Sequence, residues 1–273
     1  MSMERDDPRQ YHIALAEGDA GRYVFLPGDP GRCELIASYF DDPVKVASHR
    51  EYETWSGYLE GEKVSVTSTG IGGPSAAIAM EELVAIGSDT FVRVGTSGSM
   101  QDHIKPGDIA VVSAAIRDEG TSVHYLPIEF PAVADVDLTG ALTQAARTMG
   151  ASVHVGVSQS KDSFYGQHSP QRMPVAGRLA ERWSAWMGGG AICSEMEAAP
   201  LYIVASVLGV RASGIMMVMG HPDQSPMSPE EWDASKVENL LPIAIEGMRE
   251  IIRRDIYDLK LPMGRLKTGT PAR

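Results

Sequence analysis

The feature that most constrains the fold is an alternation. Short apolar, partly β-branched runs stand at Tyr23–Leu26, Lys63–Thr69, Thr90–Val94, Asp108–Ser113, Val153–Ser158 and Arg211–Met219. Stretches with helical spacing separate several of them, at Ser75–Ile86, Leu138–Met149, Glu197–Leu208 and from Pro229 to about Asp255. Strands that alternate with helices must be joined by crossovers, which predicts an α/β sheet. Runs such as F-V-R-V and I-A-V-V have no polar face, so helices should cover their strands on both sides. No internal repeat or low-complexity linker breaks the pattern. A single globular domain over residues 1–273 is expected, with loosely ordered ends at about 1–10 and 257–273.

Composition narrows the partners. Subtracting 36 acidic from 24 basic side chains gives a net charge of −12, which repels nucleic-acid backbones and anionic lipid head groups. Neither is expected as a partner. A small anion remains compatible, because a local arginine cluster reverses the potential inside one cleft. Cys33 and Cys193 are far apart and form no C-x-x-C pair, which argues against a zinc knuckle or a dithiol redox motif. Two free, buried thiols suit a reducing cytosol. The first residues, M-S-M-E-R-D-D-P-R-Q, are too polar for a signal peptide. The longest apolar stretch, Ala198 to Val210, falls short of the ~20 residues that span a bilayer. A cytoplasmic protein without a metal centre is expected.

In open α/β sheets ligands sit beyond the carboxyl ends of strands, so the segments that follow each strand matter most. P-G-D-P-G-R, Pro27 to Arg32, offers exposed amides and an arginine, the ingredients of an anion cradle; an ordinary strand-to-helix turn has the same composition. T-G-I-G-G-P-S, Thr69 to Ser75, is neither a Walker A loop nor a dinucleotide fingerprint. In F-V-R-V-G-T-S-G-S, Arg93 lies inside an apolar run. An unpaired charge there costs several kcal/mol, so Arg93 must meet a buried carboxylate or a bound anion. S-E-M-E, Ser194 to Glu197, reads as a capping box with Ser194 as N-cap and Glu197 at N3. The alternative places Glu197 in a cleft, accepting from two vicinal hydroxyls of a sugar. In D-S-F-Y-G-Q-H, Phe164 offers a stacking face and Gln167 an adjacent donor and acceptor.

Taken in order and spacing, P-G-D-P-x-R, S-H-R-E, T-G-I-G-G-P-S, R-x-G-T-x-G, the F-Y/G-Q run and E-M-E resemble the nucleoside phosphorylases of family I, with the uridine phosphorylase branch nearest. The resemblance runs from about Tyr11 to Leu208. It implies a mixed central sheet flanked by helices, and phosphorolysis of a nucleoside, uridine first, to free base and ribose 1-phosphate. Inorganic phosphate is then the co-substrate and no cofactor is needed. By the same resemblance Gly28, Arg32, Arg93 and Thr96 belong to the phosphate site, and Arg50 reaches it from a neighbouring subunit. His12, lent across the same interface, with Thr96, Met196 and Glu197, contacts the ribose. Gly98, Phe164 and Gln167 form the base pocket. Catalysis falls to Arg93, Glu197 and Gln167. The implied assembly is a homo-oligomer of dimers, a ring-like hexamer in this branch, with a monovalent-cation site at Glu51, Ile71 and Ser75.

The sequence also departs from that branch. Its F-Y-G-Q-H-S-P-Q-R is one residue shorter before Gln167 and lacks the arginine that usually follows, and G-H-P-D-Q stands where a second arginine is usual. Arg172, Lys161 or His221 are the substitutes at hand. A purine nucleoside phosphorylase is the first rival reading, with Asp223 the nearest acid. A water-using nucleosidase and a non-catalytic nucleoside-binding protein are the others.

Overall fold

The computed structural model describes residues 8–260; the expectation of loose ends falls mostly outside them. In chain order the elements begin with β1 (Tyr23–Pro27), α1 (Gly31–Ala37), β2 (Asp41–His49), β3 (Tyr52–Leu59), β4 (Glu62–Thr67) and α2 (Gly73–Ala85). There follow β5 (Thr90–Ser99), β6 (Ile109–Asp118), β7 (Ala132–Val133), α3 (Val136–Thr148), β8 (Val153–Lys161) and α4 (Phe164–His168). The last are α5 (Ala176–Gly188), β9 (Cys193–Glu195), α6 (Ala198–Leu208), β10 (Arg211–Val218), α7 (Pro229–Ala234) and α8 (Leu241–Lys260).

All ten strands among the described residues join one mixed sheet, ordered β10-β6-β8-β9-β5-β1-β4-β3-β2, with β7 beside β6. Because β10 also pairs with β5, the strands β5, β10, β6, β8 and β9 form a closed circuit. The expected burial on both faces is present. Ala76, Met80 and Leu83 of α2 with Ala198, Leu201 and Tyr202 of α6 pack one face. Cys33 and Ile36 of α1, Leu138 and Leu142 of α3, and Met248 and Ile252 of α8 pack the other. β1 is buried along its whole length, which explains the absence of a polar face in Y-V-F-L.

Three features differ from the sequence expectation. The single helix from Pro229 is two: α7 ends at a cap on Ser235, and α8 restarts at Leu241 with Pro242 in its first turn, where the missing N–H is harmless. The hairpin β2–β3 carries no strong signal, because β2 is the exposed edge of the sheet and contains Pro43. The capping box at Ser194 does not form. Ser194 lies in β9, and the carboxylate of Glu195 caps α6 instead, accepting from the backbone N–H of Glu197 and Ala198, each at 2.7 Å. A working box stands at α7, between Ser228 and Glu231.

Candidate active site

The segments singled out after each strand converge on one end of β5. Arg93 is paired in register with Leu26 of β1 and Gly214 of β10, and is 5% exposed. Its Nη2 donates to Glu197 Oε2 at 2.5 Å and its Nη1 to the Leu26 carbonyl at 3.2 Å. Its Nε is buried with no protein acceptor. Gly95 makes room for the guanidinium: a Cβ there would lie 2.6 Å from Met216 Sδ and 3.2 Å from Arg93 Cζ. Of the two readings left open for Arg93, the carboxylate partner is therefore present. It is Glu197, which is itself 4% exposed.

Glu197 is held from a second side. Its Oε1 accepts from the Gly72 N–H at 2.7 Å. Gly72 precedes α2 with φ +92°, a conformation side chains disfavour, and that turn aims the amide at the carboxylate. T-G-I-G-G-P-S thus helps fix Glu197. Glu195, two residues earlier, accepts from Ser158 Oγ at 3.2 Å and from Ser160 Oγ. Burial, followed by the neighbouring Glu197 charge, pushes its pKa up.

The side chain of Arg32, on α1, has no hydrogen-bond or ion-pair partner among the described residues; its backbone N–H donates to the Asp29 carbonyl at 3.1 Å. Burial lowers its pKa, and the positive charge of Arg93 lowers it further. Gly28 lies against Arg93: a Cβ there would sit 3.1 Å from the Gly70 carbonyl and 3.5 Å from Arg93 Nη1. Thr96 of β5 is half-buried and its hydroxyl has no protein partner among the described residues. Beside Arg32 a cleft of about 550 Å³ opens toward Met219, Trp232, Lys236 and Val237. Arg32 feels the Arg93 charge as well as the attraction of Asp29, Glu238 and Glu197, and like charges within reach of each other are stabilised by a bound anion.

A matching family profile, that of the phosphorylase superfamily, covers residues 22–255. The chain belongs to the phosphorylase superfamily. A uridine phosphorylase of Treponema pallidum is 46% identical over 246 residues, covering 90% of this chain and 95% of the relative. One from Thermococcus kodakarensis is 46% identical over 220 residues, 80% of this chain and 79% of the relative. A guanosine phosphorylase of Halorubrum lacusprofundi is 38% identical over 213 residues, 78% and 84% respectively.

The remaining residues singled out in the sequence are more dispersed. Gly98 pairs with Ser194, and a Cβ on it would meet nothing within 4 Å, so open space adjoins the strand here. Met196 is half-buried beside Glu197. Gln167 lies on α4 with Oε1 2.7 Å from Ser194 Oγ. Phe164 opens the same helix, 51% exposed, its ring 4.2 Å from that of His168. Lys161 is buried, donating to Ser194 Oγ at 2.8 Å; burial lowers its pKa. Arg172 stands over the Tyr165 ring and His221 pairs with Glu231 at 3.1 Å, so neither contacts Gln167. Gln167 lines a second cavity, of about 320 Å³, together with Gln159, Lys161 and, from α5, Leu179, Trp183 and Trp186.

Arg50 and His12 are not beside Arg93. Arg50 is exposed at the tip of the β2–β3 hairpin with φ +57°, its guanidinium over the Tyr11 ring. His12 Nδ1 meets Glu82 Oε1 at 2.6 Å. Glu51 Oε1 accepts from Ser75 Oγ at 3.0 Å, and Ile71 is 78% exposed. Sequence reasoning missed the hold of the Gly72 amide on Glu197, the cap made by Glu195, and the pair Asp118 and Gln159 that stands behind Ser194. Two of these had a signal: Gly72 lies in the quoted T-G-I-G-G-P-S run, and the alternation in S-E-M-E puts Glu195 two residues from Glu197.

Proposed function

We infer that this chain is a nucleoside phosphorylase whose preferred substrate is uridine, yielding uracil and ribose 1-phosphate. The observation that carries the phosphorolytic step is Arg32, a half-buried cation whose side chain has no hydrogen-bond or ion-pair partner among the described residues and whose charge is opposed by that of Arg93. Water as the nucleophile calls for no such pair. The relatives at 46% identity carry the choice of uridine.

In this reading phosphate sits against Gly28, Arg32, Arg93 and Thr96, with Arg50 supplied by a neighbouring subunit. A phosphate oxygen attacks C1′ as the glycosidic bond breaks, and the bonding pair leaves with the base. The arginines position the nucleophile and hold its charge where water is scarce. Glu197, with Met196 and a neighbour's His12, holds the ribose hydroxyls. Gly98, Phe164 and Gln167 receive the base, and Gln167 with the Lys161 charge behind Ser194 stabilises the leaving uracil anion. Arg172 and His221 have partners elsewhere and take no first place in this site.

Guanosine is the second reading, favoured by the Halorubrum lacusprofundi relative. A purine calls for an acid at the ring nitrogen. Asp223 is a poor one, because the Ser225 N–H holds its pKa below the ordinary carboxylate value and keeps it ionised. The active unit is proposed to be at least a dimer, in a ring-like hexamer, since His12 and Arg50 lie at the rim of their own chain. Each subunit is one domain, and the two buried free thiols suit a cytoplasmic setting. No helix among the described residues is long and apolar enough to cross a membrane.

The test is to mix the protein with uridine, cytidine, thymidine, inosine or guanosine and phosphate, and to assay ribose 1-phosphate or its deoxy analogue. Uridine with the highest kcat/KM is expected. Free ribose in place of the sugar phosphate would make the chain a nucleosidase, and no turnover would make it a binding protein. Mixing an inactive His12→Ala chain with an inactive Glu197→Ala chain should restore part of the activity if sites are shared between subunits. A fully active monomer would refute the shared site.

A further inference from the structure

Ser194 is where the hydrogen-bond count fails to close. Its Oγ lies 2.8 Å from Lys161 Nζ, 2.6 Å from Gln159 Oε1 and 2.7 Å from Gln167 Oε1. A hydroxyl has one proton and two lone pairs. Lys161, a donor only, takes one lone pair, and two amide oxygens then compete for a single proton. Ser194 is 2%, Gln159 3% and Lys161 6% exposed, so water does not relieve the conflict.

The far side of Gln159 decides the contest. Gln159 Nε2 donates to Asp118 Oδ2 at 2.8 Å, and Asp118 Oδ1 meets Arg182 Nη2 at 2.5 Å. Turning Gln159 over would set its carbonyl oxygen against the Asp118 carboxylate. The Ser194 proton therefore belongs to Gln159. Gln167 Oε1 is left facing an oxygen with no proton between them. A half-turn of the Gln167 amide removes that repulsion, because Nε2 then donates to the second lone pair of Ser194 and every valence of the hydroxyl is used.

We propose that Arg182, Asp118, Gln159 and Ser194, with Lys161, lock the Gln167 amide in one orientation, and that this lock separates uridine from cytidine. The proposal rests on the uridine reading above and adds the residues that enforce it. N3 of uracil carries a proton and N3 of cytosine does not, so the two bases call for opposite ends of an amide. A freely turning amide serves either base; a locked one serves one and leaves the other with unpaired polar groups. Asp118, Gln159 and Ser194 are thus positioning residues, acting through Gln167.

The experiment is kcat/KM for uridine and cytidine, at saturating phosphate, in wild type and in Asp118→Asn and Gln159→Leu. The asparagine keeps the shape of Asp118 but donates or accepts, so it no longer dictates the orientation of Gln159. The leucine frees the Ser194 proton for Gln167. In both, the uridine-to-cytidine ratio should fall about tenfold, while the KM for phosphate stays within about twofold of wild type. Folded variants that keep the wild-type ratio, including those that lose both activities equally, overturn the lock. Should either variant fail to fold, Ser194→Ala removes the shared hydroxyl directly and is read by the same ratio. The wild-type panel separately tests the reading beneath: a preference for guanosine removes the uridine premise, whereas a uridine preference unchanged in the variants removes only the lock.

Discussion

The two ends of the candidate site are built differently. At the anion end, Arg93 and Glu197 are almost fully buried, and the carbonyl of Leu26 and the amide of Gly72 hold them from the backbone. At the base end, Phe164 is half exposed on a five-residue helix, and Gln167 is held by a side-chain hydroxyl that has other partners. A buried charge is costly unless paired, so the fold itself requires the anion end to be ordered before any ligand arrives. An exposed ring and a half-buried amide carry no such penalty. Their arrangement can vary among relatives without loss of stability, and this is where the sequence departs from the uridine phosphorylase pattern. In the reading proposed above, chemistry is tied to the core, and selectivity to a segment laid over it and anchored to the core at Ser194.

The strongest way to break this comparison is Arg93→Ala. It strands the Glu197 carboxylate in a buried site, so stability should fall by about 3–5 kcal/mol. Removing a charge that develops contacts with the nucleophile should also lower kcat/KM by at least ~10³-fold. Thermal melting and a phosphate titration read both. A folded variant with a near-normal phosphate KM would show that Arg93 is only a structural partner of Glu197.

Glu197→Gln asks the same question from the carboxylate side. The amide can still accept from the Gly72 N–H, but Arg93 loses its counter-charge. Phosphate should then compensate, since a ligand that binds only the folded state raises its stability with concentration. We expect a larger phosphate-induced rise in Tm than in wild type, together with a fall in kcat/KM of about 10²-fold from the lost ribose contact. Equal Tm shifts in the two proteins would place phosphate away from Arg93.

At the base end the expected losses are smaller and confined to activity. Gln167→Ala should lower kcat/KM for uridine by about 10–100-fold, the cost of leaving the base edge unpaired. Phosphate KM should not change, and stability should stay within about 0.5 kcal/mol, as for a surface substitution. A drop in Tm comparable to that of Arg93→Ala would erase the distinction between the two ends.

What the sequence made legible follows the same division. Arg93 stood out because a charge inside F-V-R-V has few physical excuses, and Glu197 because two of its roles could be weighed. The sheet and its two helical layers were legible from apolar runs without a polar face. The β2–β3 hairpin was not, since an exposed edge strand has no burial to imprint a period. Nor was the Asp118–Gln159–Ser194 chain, whose members are far apart in sequence and meet only because β6, β8 and β9 are neighbours in the sheet. The Ser194 cap was misread because S-x-x-E satisfies a local rule that the strand β9 overrides. Glu195 supplies the cap one residue later in the chain.

The smallest effect is expected at Arg172. Sequence alone made it a candidate for the missing base-site arginine, being the nearest one after Gln167. In the structure it is exposed, and its guanidinium stands 5.9 Å from the centroid of the Tyr165 ring. An exposed cation–π contact is worth about 0.5–1 kcal/mol. If that contact is its main role, Arg172→Ala should change kcat/KM for uridine by less than about threefold, with a Tm shift near the limit of measurement. If instead Arg172 swings to a uracil carbonyl when substrate binds, the loss falls on uridine KM and reaches tenfold or more, as for other charge-assisted hydrogen bonds. The two outcomes differ in size and in kinetic parameter. A tenfold rise in uridine KM with unchanged Tm would mean that the base end is ordered by its ligand, which would sharpen the contrast with an anion end ordered by the fold.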